Sequence, residues 1–381
     1  MRQIDTDLLV VGAGPSGSIA AFHAARAGLD VTIVDKTSLP RVKPCAGGVA
    51  TKALLRLPFS ISSQVERSTN VLMIGRQGRK AHRLEAPGVI CAFVDRPRFD
   101  RFLLDQAEDA GAQFQLIDKL TAVTEGETGV TIETASGAIR ARYVIAADGA
   151  NSTLRRLVMP DTPLSRGFAV EGKVPLDPGR PVPEMELVFD RVQEGYAWIF
   201  PKRDHANVGL YTMRTSLAEG RADLQAFALE RLGAPITEIL GYPLGFGGEE
   251  HRPPSERILF VGDAAGMAEP LLGEGIHNAV KTGEIASHLI IDAVKTGALI
   301  RDRYDTALAP VRRDIHLCRR VAERVFYAKM SYLRAMGLTS PIVTRALVRG
   351  SAAGKTLDET RRLWPGIYLQ RPVATPLALS A

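Results

Sequence analysis

The chain has 381 residues, 45% of them hydrophobic and 24% charged, enough to bury cores in two domains. Its net charge of +6 lies wholly in the C-terminal stretch, where 301–381 holds fifteen Lys and Arg against six Asp and Glu. No nucleic-acid recognition motif accompanies that charge, and three scattered cysteines (Cys45, Cys91, Cys318) exclude a disulfide framework or a Cys-x-x-Cys metal site.

The first strand is expected at once, over 7–11, leaving no space for a signal peptide; with no apolar run of about 18 residues either, a cytoplasmic protein is expected. That strand breaks into Gly12-Ala13-Gly14-Pro15-Ser16-Gly17 and then a helix over 18–27. Gly12 permits a tight turn, Gly14 lets the backbone approach a pyrophosphate, and Gly17 allows close helix–strand packing, while the helix N-terminus offers free N–H groups to phosphates. A second strand over 31–34 ends in Asp35-Lys36, where the carboxylate can accept from ribose hydroxyls. Next comes a glycine-rich loop, Lys43-Pro44-Cys45-Ala46-Gly47-Gly48, and then Val94-Asp95-Arg96-Pro97 leading into a long helix.

A buried strand over 144–147 ends in Asp148-Gly149, and another over 258–261 ends in Gly262-Asp263. Between them, alternating patterns at 167–174, 184–189, 196–200 and 207–211 predict an antiparallel sheet, followed by a helix over 217–232. The stretch 71–94 is expected to add strands to it. Gly273-Glu274-Gly275-Ile276 then opens a helix. In the C-terminal stretch Val311, Ile315, Cys318, Val321, Val325 and Met336 follow helical spacing, with Arg312, Arg313, Arg320 and Arg324 largely off that stripe. Two accounts fit: an apolar face packed on the body with solvated arginines, or a basic surface docked peripherally on the inner face of a membrane.

The order Gly-x-Gly-x-x-Gly, Asp-Gly, Gly-Asp-Ala-Ala resembles the p-hydroxybenzoate hydroxylase superfamily of flavoproteins. The resemblance implies FAD, with Asp263 on the ribityl chain and Asp148 and Gly149 near the pyrophosphate. The loop Lys43–Gly48, the run Tyr196-Ala197-Trp198-Ile199-Phe200-Pro201 and the 94–101 segment narrow it to the geranylgeranyl reductase family, which hydrogenates carbon–carbon double bonds of polyprenyl chains. It covers roughly 5–290 and implies an α/β fold: a Rossmann-like FAD-binding domain (1–70, 96–165, 257–300) interleaved with an antiparallel-sheet substrate domain (71–95, 166–256); beyond it, charge and helical spacing predict a mainly helical basic segment (301–381).

It further implies cofactor contacts at Gly12, Ala13, Gly14, Gly17, Asp35, Lys36, Cys45, Ala46, Gly47, Arg96, Asp148, Gly149, Asp263, Gly273, Gly275 and Ile276, and NADPH or ferredoxin as electron donor. The substrate would be a polyprenyl lipid or a prenylated small molecule, with Tyr196, Trp198 and Phe200 against it. An unactivated alkene needs a proton as well as a hydride, and Cys45, Tyr196 and His277 are the candidate donors. Cys45 also reads as a packing cysteine, and His277 as a structural residue at a helix start. Aromatic monooxygenase or halogenase chemistry on the same fold is the alternative.

Overall fold

The computed structural model describes residues 4–218, 220–250, 252–328, 340–364 and 366. The chain opens with β1 (Ile4–Val11), α1 (Pro15–Arg26) and β2 (Val31–Asp35), and β2 is buried at every position, as expected of a strand covered on both faces. It continues through β3 (Gly48–Ala50), α2 (Thr51–Leu54), β4 (Val65–Thr69), β5 (Val71–Arg76), β6 (His82–Glu85) and β7 (Cys91–Val94) to α3 (Arg96–Asp109), whose N-cap is Asp95. Then come β8 (Gln113–Leu116), a meander of β9 (Leu120–Glu125), β10 (Val130–Thr134) and β11 (Gly137–Ala146), and α4 (Thr153–Val158).

The middle of the chain supplies β12 (Ser165–Pro175), β13 (Met185–Phe189), β14 (Gly195–Pro201), β15 (His205–Thr212), α5 (Gly220–Leu232) and β16 (Ile239–Phe246). The last part returns through β17 (Ile258–Phe260) to α6 (Ile276–Thr296), α7 (Arg301–Val321), α8 (Pro341–Ala352) and α9 (Leu357–Arg362).

One sheet runs β8-β2-β1-β11-β10-β9, with β17 beside β11; β8, β2, β1, β11 and β17 are parallel. Because Val11 pairs with both Val34 and Ala146, and Ala146 with Phe260, these strands end level with one another. The turns after them, at Gly12, Asp35, Asp148 and Asp263, therefore meet at one edge. Helix α1 packs between this sheet and α6, and glycine makes that approach possible: a Cβ on Gly283 would lie 2.4 Å from Ser16 O.

A second sheet runs β16-β12-β15-β14-β13-β5-β6. Its pleat sends alternate residues of β14 to opposite sides. Ala197 and Ile199 join Val208, Leu210, Leu224 and Phe227 under α5, while Tyr196 and Trp198 join Phe189, Tyr211 and Phe246 on the other face. The stretch 71–94 is divided: β5 and β6 enter this sheet, but β7 lies between β3 and β4 in a small sheet of its own. Strand β16 was not anticipated, because Gly241, Pro243 and Gly245 break up its apolar alternation.

The apolar stripe of α7 is internal. Val311 and Ile315 belong to the core of the first sheet, Cys318 to the aromatic core of the second, and Val321 and Val325 are partly buried against it. The stripe is therefore filled by the protein itself, while Arg313, Arg320 and Arg324 lie on the exposed side; Met336 falls outside the described residues. No helix among the described residues is long and apolar enough to cross a membrane. Ile315 is fully buried, so Ile315→Ala should destabilise the protein by about 2–5 kcal/mol. Urea unfolding measures this, and a loss near zero would mean that α7 is not packed on the core.

Candidate functional site

At the end of β1 the backbone must turn sharply, and Gly12 does so at φ 110°, where a Cβ would lie 2.3 Å from Ala147 O. A Cβ on Gly17 would lie 1.9 Å from Gly12 O, so both glycines are required by the protein itself. Gly14 is different. Nothing lies within 4 Å of where its Cβ would be, and it stands at the N-cap of α1 with no side-chain cap and no acidic residue in the first turn. An open space over uncapped N–H groups at a helix start has the shape and polarity that a phosphate cradle requires.

Asp35, buried at the end of β2, accepts from Ala13 N at 2.9 Å and Thr37 N at 3.1 Å, and Arg41 pairs with it at 2.6 Å. It thus shapes the glycine turn as well as facing the cradle; Lys36 beside it is exposed. Asp148 accepts from Thr153 N at 2.7 Å and Leu154 N at 3.0 Å at the start of α4 through one oxygen, while its other oxygen is buried and has no hydrogen-bond partner among the described residues. Gly149 follows at φ 78°.

Asp263 lies deep in the fold, yet its side chain keeps some accessible surface and accepts no hydrogen bond among the described residues. Burial pushes its carboxyl up, while Lys43 and Arg96 pull it back towards the charged form. It faces a second uncapped helix start: Gly275 is the N-cap of α6, and a Cβ there would lie 3.1 Å from Asp263 Oδ1. Two open helix N-termini and a deep unpartnered carboxylate fit a long anionic dinucleotide whose hydroxyls need an acceptor.

The loop Lys43–Gly48 is fastened on several sides. Lys43 sits 3.7 Å over the Tyr242 ring, Cys45 N donates to Glu171 at 2.6 Å, and Gly47 O accepts from Val94 N at 2.9 Å. The Cys45 thiol is half-buried and close enough to Arg96 for their charges to interact; the Arg96 guanidinium is buried and makes two bonds to Asp100 at 2.8 and 2.9 Å. Buried Lys202 donates to Val94 O at 2.8 Å; burial lowers its pKa, and Glu66, Cys45, Asp95 and Glu171 partly offset this. Burial raises that of Glu171, against the Cys45 amide, Lys202 and Asn207. Glu171, Asn207 and Lys202 were not among the sequence candidates. Lys202 closes the Tyr-x-Trp-x-Phe-Pro run, whereas Glu171 offered only one signal, an acid at a buried position of a strand.

The other candidates are placed as follows. Tyr196 and Trp198 are buried, the Tyr196 hydroxyl donating to Leu272 O at 2.6 Å and the Trp198 indole to Asn207 at 2.8 Å. Burial pushes the Tyr196 phenol well up. Phe200 keeps accessible surface and lies beside Gly48, where a Cβ would meet its ring at 3.0 Å. Ala46 packs against this aromatic core. His277 is buried on the α2 side of α6; burial, Lys52, Lys281 and Arg56 hold its imidazole well below its usual pKa. It is thus neutral at neutral pH and carries no imidazolium proton. Cys45, Arg96, Glu171 and Lys202 come together, and His277 stands apart from them.

A family model described as an FAD binding domain matches residues 5–168. The chain is 34% identical over 349 aligned positions to digeranylgeranylglycerophospholipid reductase 1 of Methanopyrus kandleri, covering 84% of this chain and 90% of that one. It is 30% identical over 404 positions to menaquinone reductase of Mycobacterium tuberculosis, covering 94% and 95%. Among solved structures, a geranylgeranyl bacteriochlorophyll reductase-like protein of Thermoplasma acidophilum superposes with a TM-score of 0.74 at 22% identity, covering 91% and 99%.

Two expectations follow. Gly14→Ala should fold, losing roughly 1 kcal/mol or less, but bind FAD weakly, whereas Gly12→Ala should not fold. Thermal unfolding and FAD titration of the apoproteins distinguish them; equal behaviour of the two variants would contradict the cradle. Asp263→Ala should weaken FAD binding by roughly 10- to 150-fold, the worth of about 1.5–3 kcal/mol for a bond to a charged group. Isothermal titration would show this, and an unchanged dissociation constant would refute the assignment.

Proposed function

The chain belongs to the geranylgeranyl reductase family of FAD-dependent oxidoreductases, and from that premise we propose that it hydrogenates carbon–carbon double bonds of a polyprenyl chain carried by a lipid or another prenylated molecule. The observation that carries this reading is the close relationship, over most of both chains, to a digeranylgeranylglycerophospholipid reductase. Menaquinone too bears a polyprenyl tail, so the reductase named for it points to the same substrate class. FAD would be held by Gly12, Ala13, Gly14 and Gly17 at its pyrophosphate, Asp35 at a ribose and Asp263 at the ribityl chain. Arg96, Asp148, Gly149 and the loop Cys45–Gly47 would complete the site, with Gly273, Gly275 and Ile276 at the start of α6. When bound and reduced, the flavin supplies the hydride. NADPH or ferredoxin would supply its electrons, in a cytoplasmic setting.

The chain's own residues would then hold the alkene and deliver a proton. Phe200 keeps surface beside Gly48 and offers an apolar wall, while Tyr196 and Trp198 support it from within. Of the three proton-donor candidates, Cys45 is favoured. The Tyr196 proton is committed to Leu272 O, and His277 is neutral and apart. A thiol that gives up its proton leaves an anion, and Arg96 within reach of the sulfur can stabilise it while Asp100 holds the guanidinium in place.

Incubated anaerobically with a geranylgeranyl lipid and a reductant, the enzyme should add two hydrogens per double bond, read by mass spectrometry. Turnover of an aromatic substrate that requires oxygen would instead establish the monooxygenase reading. In stopped-flow absorbance, Cys45→Ser should slow reoxidation by the alkene at least about 100-fold and leave flavin reduction unchanged. Equal rates in the alkene step would make Cys45 a packing residue.

A further inference from the structure

The turn that leads into α6 is tied down far beyond what an ordinary connection needs. Glu269 N donates to Glu274 O at 3.0 Å, closing 269–274 into a ring. The Glu269 carboxylate fills that ring, accepting from Leu271 N and Leu272 N at 2.8 Å and from Glu274 N at 3.2 Å. Outside it, three consecutive carbonyls are taken by tyrosines: Tyr211 of β15 donates to Pro270 O at 2.7 Å, Tyr327 beyond α7 to Leu271 O, and Tyr196 of β14 to Leu272 O at 2.6 Å. Lys52 of α2 pairs with Glu274 at 2.8 Å. The second sheet, α2 and the C-terminal helices are thereby fastened to a six-residue turn.

That turn sets one distance in the site. Between Glu269's donors lies Gly273, at φ 66° with a Cβ position 2.9 Å from the Tyr211 ring, and just after the last of them Gly275, against Asp263. We propose that Glu269 is a positioning residue for the cofactor: its ionised carboxylate holds the ring closed and so fixes the start of α6 against Asp263. The proposal rests on the FAD assignment, not on the identity of the alkene. An ionised carboxylate is acceptor-only and satisfies three N–H groups; protonation turns one oxygen into a donor and opens the ring. Facing Glu269 are Lys52 from α2, Glu274 from its own turn, Cys318 from α7 and the phenols of Tyr196, Tyr211 and Tyr327. Burial pushes its carboxyl up, Lys52 lowers it and Glu274 raises it, leaving it at about 7. FAD affinity is accordingly highest above neutrality and falls as the pH drops through that value.

Titration of the apoprotein with FAD at about pH 6 and about pH 8, followed by flavin fluorescence, tests this. Wild type should bind roughly tenfold more tightly at the higher pH; E269Q should bind more weakly than wild type there and show no such dependence, with a thermal midpoint that reports a folded protein. Lys52→Met, which removes the cation favouring the charged carboxylate, should move the transition to higher pH. An E269Q protein that keeps the wild-type profile, or an unmoved profile in Lys52→Met if E269Q does not fold, overturns the proposal. Wild type that binds no FAD at either pH would count against the cofactor reading instead.

Discussion

The arrangement rests on the level ends of four parallel strands. Hydrogen bonding of β1 to β2 and β11, and of β11 to β17, fixes where each strand stops, and each stops in a turn that carries a glycine or an aspartate. Ligands of doubly wound sheets bind at the carboxyl ends of the strands, and here that edge collects the Gly12 turn, Asp35, Asp148 and Asp263. A one-residue slip of β17 would carry Asp263 away from Gly275 and reverse the faces of its neighbours. The glycines of α1 and α6 serve the same constraint, since they let the two helices pack closely against each other at that edge.

The second sheet contributes through its two faces. One is filled by α5, which leaves the aromatic face free to meet the turn before α6. Three tyrosine hydroxyls end on that turn, so Tyr196, read from the sequence as a substrate wall, serves as a prop together with Tyr211 and Tyr327. Burying a phenol without a partner costs more than the bond returns, which explains why each hydroxyl is satisfied. The Lys43–Gly48 loop is joined in the same manner, through Glu171 and Lys202 from the sheet and Arg96 from α3. Around Cys45 the buried charges are close enough to offset one another, and their compensation keeps Arg96 charged beside the sulfur.

The C-terminal helices illustrate how an amphipathic stripe is read. The 3.6-residue repeat of Val311, Ile315 and Cys318 requires an apolar partner but does not name it. Here the partner is internal, and α7 spans the two cores, touching the first through Ile315 and the second through Cys318. The arginines then face outward, because the outer side of a packed helix is where charge costs least.

Local chemistry was enough to read the turn after β1 from the sequence: a tight turn at φ 110° can be made only by glycine, and that need shows in Gly12 itself, as does the alternation of the Tyr-x-Trp-x-Phe run. The mixed α/β class and most strands were legible for that reason, whereas the flavoprotein family was legible as a resemblance, through the order of the Gly-x-Gly-x-x-Gly, Asp-Gly and Gly-Asp-Ala-Ala motifs. Burial, hydrogen-bond partners and neighbouring charges were not, because they join residues far apart in the chain. Only the tertiary structure committed the Tyr196 proton to Leu272 O, buried His277 of α6 on the side of α2, set Glu171 and Lys202 around the Cys45 loop, and closed a ring about Glu269. Sequence determined which backbone shapes were possible; packing decided which polar atoms remained available, since availability depends on what every other segment has already taken.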